Sequence, residues 1–155
     1  MNYTKSEYVR DIAENLIENL DDPYMKQIKA AAPAIAYREG DGKKKSNGMV
    51  VHADCEKVKT SNKQYMAYDY IITVYSKNCE YMTEEQFELL LYHELLHIDC
   101  VRTEDGELHC KIRQHDVQDF KEITYRFGED WSTEGLAVKN IWDVIGGAED
   151  ADDKD

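Results

Sequence analysis

Two histidines and a glutamate carry the clearest chemical signal in this chain, in the run His93-Glu94-Leu95-Leu96-His97. Four residues apart on a helix, His93 and His97 lie on one face, one turn above the other. Two imidazoles placed in this way can bind one tetrahedral Zn²⁺ ion. Glu94 lies too far around the helix to be an equal ligand, but it can take a proton from a water that the metal activates. The spacing therefore predicts a zinc site with a general base beside it.

The residues around this motif give separate signals for a buried helix. Thr83 followed by Gln86 is typical of a capping box, which places the start of the helix at Thr83. The apolar residues that follow at three- and four-residue steps, or widen the apolar surface, are Phe87, Leu89, Leu90, Leu91, Tyr92, Leu95, Leu96 and Ile98. A helix that is apolar on nearly all sides is buried, and burying two histidines and a glutamate without partners is costly. A metal ion bound by both histidines would give these buried polar groups a partner.

A third protein ligand, which a catalytic zinc site usually has, must come from outside the motif. The downstream candidates are His109, His115, Asp116, Asp119 and Glu122. We favour His115 and keep His109 as the alternative, with a carboxylate ligand as a third choice. Asp116 and Asp119 suit the role of acceptors that orient an imidazole through its second nitrogen. Carboxylates in the first turn of a helix also compensate the helix dipole, which is the competing interpretation of both.

The choice between the two histidines depends on the elements that carry them. The Asp-Gly pair at 105–106 predicts a tight hairpin, and the pattern after the hairpin predicts a helix over 114–127. Within the hairpin, alternation places His109 on the outer, wetter face. His115 lies at the start of the helix, which the hairpin turns back toward the motif. From there its imidazole can reach outward without crossing other side chains of the same helix.

The remaining pattern predicts a single α+β domain over residues 1–145. The predicted elements are helices over 5–20 and 23–31, strands over 34–38, 49–56 and 66–74, a polar turn at 60–63, and hairpin strands over 101–103 and 107–112. His52 falls on the polar face of its strand and is predicted to be an exposed histidine, with a ligand as the alternative. Residues 146–155 form an acidic tail with nothing to bury, which we expect to be disordered.

Composition narrows the classes of function. The net charge of −13 argues against binding a phosphate backbone through a basic surface. No apolar stretch approaches the length of a membrane span, and the start of the chain is polar, without the core of a signal peptide. The four cysteines, Cys55, Cys79, Cys100 and Cys110, show no close pairing and are interpreted as reduced, small apolar residues. Together these features predict a cytoplasmic protein.

Three stretches of this sequence resemble the phage-type metallopeptidase family, which is similar in layout to the SprT-like small zincins. They are residues 90–98, the Asp-Gly hairpin and residues 115–120, and the similarity extends from the first helix to about Trp131. The resemblance implies a zincin-like fold: N-terminal helices, a small antiparallel sheet packed beside the motif helix, and a ligand-bearing helix after it. It also implies a peptide or protein substrate, met in the host cytoplasm if the protein is phage-encoded. The zinc ligands that it implies are His93, His97 and His115.

The sequence is compatible with two functions. The first is a zinc metallopeptidase with Glu94 as general base, whose substrate strand lies antiparallel to the exposed edge of the sheet. Tyr125 and His109 are then candidates for stabilising the oxyanion. The second is a non-enzymatic acidic protein, stabilised by zinc, that acts on a host protein as an inhibitor or nucleic-acid mimic. A purely structural zinc site is normally closed by four ligands, whereas Glu94 favours the peptidase.

Overall fold

A computed structural model describes residues 1–59, 67–116 and 119–147 and confirms the mixed α+β architecture of a single small domain. Its helices are α1 (Glu7–Asn19), α2 (Pro23–Ala31), α3 (Glu84–Leu96), α4 (Lys121–Phe127) and α5 (Ile141–Ile145). Its strands are β1 (Tyr3–Lys5), β2 (Ile35–Gly40), β3 (Lys45–Ser46), β4 (Met49–Val50), β5 (Ala53–Lys57), β6 (Tyr70–Tyr75), β7 (Ile98–Arg102) and β8 (Leu108–Ile112). None of the helices in the described part of the chain is both long and apolar enough to cross a membrane.

The main sheet has four strands in the order β1-β2-β6-β5. It is mixed rather than wholly antiparallel, because β6 runs parallel to β2 and antiparallel to β5. The difference from the prediction follows from the path of the chain: β5 takes the outer edge, and β6 then turns back into the space between β5 and β2. Two short antiparallel pairs, β3 with β4 and β7 with β8, lie outside this sheet. Strand β5 is left as an edge of the main sheet.

Helix α3 is the buried centre of the fold. The predicted capping box is confirmed: Gln86 N–H donates to Thr83 Oγ1 over 3.1 Å, and Thr83 N–H donates to Gln86 Oε1 over 3.0 Å. The buried residues of α3 are Gln86, Leu89, Leu90, Leu91, Tyr92, Glu94, Leu95 and Leu96. The Tyr92 hydroxyl donates to Asp22 Oδ1 over 2.7 Å, and the other oxygen of Asp22 caps α2. Its ends and its buried surface thus hold α3 in one position.

The prediction of a helix over 114–127 is wrong for its first half, because α4 begins only at Lys121. In this stretch, side-chain carboxylates accept hydrogen bonds from main-chain N–H groups. Asp119 Oδ1 accepts the N–H of Phe120 over 2.7 Å, and Asp116 Oδ2 accepts the N–H of Lys121 over 3.0 Å. His115 therefore lies in an irregular segment before the helix. Val117 and Gln118, predicted to belong to the same helix, lie outside the described residues.

Several strand boundaries differ from the prediction. The strand predicted over 49–56 is two strands, β4 and β5, with Val51 and His52 between them, because β4 pairs with β3 while β5 pairs with β6. The next strand begins at Tyr70 rather than Met66; Met66 and the turn predicted at 60–63 lie outside the described residues. The hairpin is confirmed, and β7 begins directly after α3 at Ile98. Strand β1 was missed, since three exposed residues carry no pattern.

The acidic tail was predicted to begin at residue 146, and this boundary needs correction. The N–H of Asp21 donates to the carbonyl oxygen of Gly146 over 2.9 Å, and Leu20 forms an isolated bridge with Gly147. Two glycines can follow the backbone of the α1–α2 junction closely because they have no side chain in the way. Residues 148–155, the rest of the predicted tail, lie outside the described residues.

Candidate metal centre and its cleft

Three imidazoles meet at the C-terminal end of α3. His93 lies in the last turn, His97 is the C-cap, and His115 comes from the segment after β8. The Nε2 atom of His115 lies 3.0 Å from Nε2 of His93 and 3.0 Å from Nε2 of His97. The three residues can each offer one ligand atom to the same metal ion. His109, the alternative, lies opposite Val101 in the hairpin with 52 % of its side chain exposed, and it is not in this group.

The second ring nitrogens of His93 and His97 each lie close to an oxygen atom. His97 Nδ1 lies 2.8 Å from the carbonyl oxygen of Arg113, which can only accept, so the proton is on Nδ1. Burial lowers the pKa of His97 to about 4, so the ring is neutral and its Nε2 carries a lone pair. His93 Nδ1 lies 2.7 Å from Asp119 Oδ1. Burial opposes the charged form of His93, but the contact with Asp119 outweighs it and raises the pKa.

Asp119 is fixed by more than its histidine. Its Oδ2 accepts the indole N–H of Trp131 over 2.7 Å, in addition to the main-chain bond of Oδ1 to Phe120. Burial alone would raise the pKa of Asp119, but the contacts with His93 and Trp131 lower it overall, so the carboxylate is charged at neutral pH. Asp116, the other predicted acceptor, instead accepts the N–H of Lys121 at the start of α4, and it forms no hydrogen bond with an imidazole of the described residues.

Trp131 was not recognised from the sequence as part of the site. The loop that carries it is tied to α3, because Gln86 Nε2 donates to the carbonyl oxygens of Trp131 and Thr133 over 3.0 and 2.9 Å. Gln86 thus closes the capping box and anchors this loop at the same time. A single tryptophan after the predicted helix does not indicate in the sequence which carboxylate it will contact.

Arg113 is a second residue that the sequence did not reveal. Its main chain forms two hydrogen bonds with His97. The N–H of Arg113 donates to the carbonyl oxygen of His97 over 2.7 Å, and the carbonyl oxygen of Arg113 accepts the Nδ1–H of His97. Its guanidinium lies over the rings of Tyr24 and Phe120 and donates to Glu122 Oε1 over 2.6 Å. Glu122, a candidate ligand in the sequence, is therefore engaged by Arg113 instead.

Glu94 is buried beside the histidines. Its side chain is 4 % exposed, and Oε2 lies 4.0 Å from Nε2 of His93. Burial raises the pKa of its carboxyl to about 7, although neighbouring His93 works in the opposite direction. A carboxyl group in such surroundings exchanges a proton readily near neutral pH, which is the property of a general acid–base group.

The centre opens into a cleft of about 830 Å³. His93, Glu94 and His115 line it, together with residues 49–53 and, after the irregular segment, Lys121, Tyr125 and Trp131. Tyr125, one of the two oxyanion candidates, lines this cleft and is 85 % exposed, whereas His109 is not among its lining residues. The centre is thus accessible to a molecule much larger than water.

His52 also lines the cleft, and the prediction that it is an exposed histidine is wrong. It is half-buried, and its Nε2 lies 2.9 Å from the hydroxyl of Tyr81. The strand pattern failed here because β4 ends at Val50 and β5 begins at Ala53, so His52 does not follow the alternation of either strand.

Fold and centre together define an α+β protein in which three histidines that could bind one metal ion lie beside an open cleft. The model of the family described as "Putative phage metallopeptidase" matches residues 1–141, so the chain belongs to this metallopeptidase family. The matched span contains every residue of the centre and confirms the resemblance found in the sequence. No curated protein and no solved structure matches the chain.

Proposed function

We propose that this protein is a zinc-dependent metallopeptidase, with His93, His97 and His115 as ligands and Glu94 as general base. The observation that carries the proposal is the convergence of three Nε2 atoms beside an open cleft that His93, Glu94 and His115 line, with the buried carboxylate of Glu94 4.0 Å from Nε2 of His93. A metallopeptidase needs these features together: an ion site, a base beside it, and room for a polypeptide.

The donor set fits a zinc ion. Because Arg113 holds the proton of His97 on Nδ1, and Asp119 lies against Nδ1 of His93, both rings turn Nε2 toward His115. The Nε2 atoms of His93 and His97 each lie 3.0 Å from Nε2 of His115, a spacing at which all three could bind one cation. Imidazole nitrogens are ligands that zinc prefers, and a bound zinc would supply the Lewis acid that activates water and polarises the scissile carbonyl.

The side chains around the centre have separate roles in this mechanism. Glu94 accepts the proton of the attacking water on its carboxylate and then delivers it to the leaving amine. Asp119 and the carbonyl of Arg113 keep two imidazoles oriented through their second nitrogens. The peptide lies along the free edge of β5, which is the edge strand of the sheet and leads into the cleft at Ala53.

The competing hypothesis, an acidic binding protein that zinc merely stabilises, accounts less well for these features. A structural zinc site is normally closed by four protein ligands, whereas the described residues bring three together, two of which line an open cleft. Glu94 would also have no reason to be buried beside the ligands. The acidic residues that give the chain its net charge of −13 are spread along the sequence, as on an ordinary solvated surface.

The experiment is a comparison of the parent protein with Glu94→Gln, both purified without chelators. We expect about one zinc per chain in both proteins, and cleavage of an unfolded protein substrate by the parent only, since the amide cannot accept the proton. Circular dichroism controls for folding. Equal cleavage by both proteins would remove Glu94 from the mechanism, and zinc in both without any cleavage would favour the binding protein.

A further inference from the structure

His52 occupies a fixed position in the cleft but outside the three-histidine group. Its carbonyl oxygen accepts the N–H of Tyr75 over 2.9 Å and the thiol of Cys79 over 3.4 Å. These two bonds tie the main chain of His52 to the end of β6 and the turn that follows it. The imidazole therefore projects from an anchored backbone.

The hydrogen bonds of Tyr81 determine which nitrogen of His52 carries the proton. The Tyr81 hydroxyl donates its single proton to the carbonyl oxygen of Ser132, and a carbonyl oxygen can only accept. The phenolic oxygen lies 2.9 Å from Nε2 of His52, so in this bond it must be the acceptor. The proton of the His52 ring is therefore on Nε2.

The other ring nitrogen is consequently a free acceptor. Burial lowers the pKa of His52, so the ring is neutral near pH 7 and Nδ1 carries a lone pair. No residue in the described part of the chain donates a hydrogen bond to this Nδ1, and it is not among the atoms buried without a partner. A hydrogen-bond acceptor thus remains open on a residue that lines the cleft.

We propose that His52 is a substrate-binding residue whose Nδ1 accepts a hydrogen bond from a backbone N–H of the peptide in the cleft, while Tyr81 holds the ring. This inference rests on the proposed peptidase function. A backbone N–H is the donor that nearly every residue of a peptide offers, so this contact positions an extended chain without selecting a sequence.

Two other roles for His52 fit the contacts less well. Stabilising the oxyanion requires a donor, but the only proton of the neutral ring is already given to Tyr81. Metal binding requires Nδ1 to join the other imidazoles, and His52 lies outside their group. An acceptor for a peptide donor is the role that uses the one free atom.

The test uses the zinc-loaded full chain and His52→Gln, because the glutamine amide can still donate to Tyr81 but has no acceptor at the position of Nδ1. His109→Gln, on the exposed face of the hairpin, is the matched control. We expect KM for a fluorogenic peptide to rise roughly three- to tenfold in His52→Gln with kcat unchanged, the effect of losing one neutral hydrogen bond used equally in ground and transition states. His109→Gln should match the parent.

Peptides that are N-methylated at one amide after another locate the contact. At one position the methyl group should raise the KM of the parent by the same three- to tenfold. It should not raise the KM of His52→Gln further, because that variant has already lost the hydrogen bond. If the parent cleaves and His52→Gln has the parent's KM and methylation profile, the inference is overturned while the proposed function stands. If the zinc-loaded parent cleaves no peptide, the proposed function fails, and the inference with it.

A second measurement does not depend on activity. Nitrogen-15 chemical shifts of the histidines, assigned with His52→Gln, report which ring nitrogen carries the proton. We expect His52 to carry it on Nε2. A proton on Nδ1 would leave no acceptor and would overturn the inference whatever the kinetics.

Discussion

The two halves of the candidate metal centre are held in different ways. Helix α3 presents His93, Glu94 and His97 from a buried, capped helix whose main-chain bonds are regular. The segment before α4 presents His115 from irregular chain, where carboxylates bond to main-chain N–H groups and Asp119 meets Trp131. The comparison shows that core packing fixes one half of the centre, while a few polar contacts fix the other.

The largest expected effect comes from removing the ligand of the irregular half. His115→Ala should lower zinc affinity by orders of magnitude, because one of three ligand bonds is lost, while the chain stays folded since His115 is an exposed side chain in a loop. His109→Ala should retain the parent's affinity. Competition with a colorimetric zinc chelator at fixed pH measures both. Loss of zinc binding in His109→Ala instead of His115→Ala would show that the segment before α4 does not supply the third ligand.

A substitution in the helical half should affect stability more than metal binding. Leu95 is fully buried, so Leu95→Ala should lower the free energy of unfolding by about 2–5 kcal/mol through the cavity it leaves. Urea unfolding in the presence of a chelator measures this separately from zinc. Folded Leu95→Ala should still bind one zinc ion. A loss below 1 kcal/mol would mean that α3 is not the rigid half of the centre.

The sequence predicted the helical half well and the irregular half only in part. A capping box and an apolar period define α3, because its bonds are local and its burial follows from composition. His115 was preferred for a reason that proved wrong, since it does not begin a helix. The contacts of Arg113 and Trp131 could not be predicted, because they join segments distant in sequence and leave no spacing to recognise.

Asp119 offers a smaller and more specific test of the irregular half. Asp119→Asn keeps the shape but weakens the contact with His93, so zinc affinity should fall about 10- to 100-fold. Asp116→Asn is the matched control, because Asp116 accepts the N–H of Lys121 and forms no hydrogen bond with an imidazole in the described residues, so the zinc affinity of this variant should change little. Equal losses in the two variants would show that general negative charge, rather than orientation of His93, supports the metal.

The smallest effect is expected at the end of the chain. Deleting residues 148–155 should leave the melting temperature and zinc content unchanged, because these residues have no large apolar side chain to pack. Deleting 146–155 should lower the melting temperature slightly, since Gly146 accepts a hydrogen bond from Asp21. Differential scanning calorimetry compares the two. A drop of several degrees in the shorter deletion would show that the acidic end packs on the domain.

A crystal structure with anomalous data at the zinc edge, from protein purified without chelators, would test the proposed zinc site directly. We expect one zinc ion bound by Nε2 of His93, His97 and His115 at about 2.0–2.1 Å, with solvent in the fourth position and Glu94 beside it. A fourth protein ligand closing the site, or zinc bound elsewhere, would contradict the assignment of a catalytic centre.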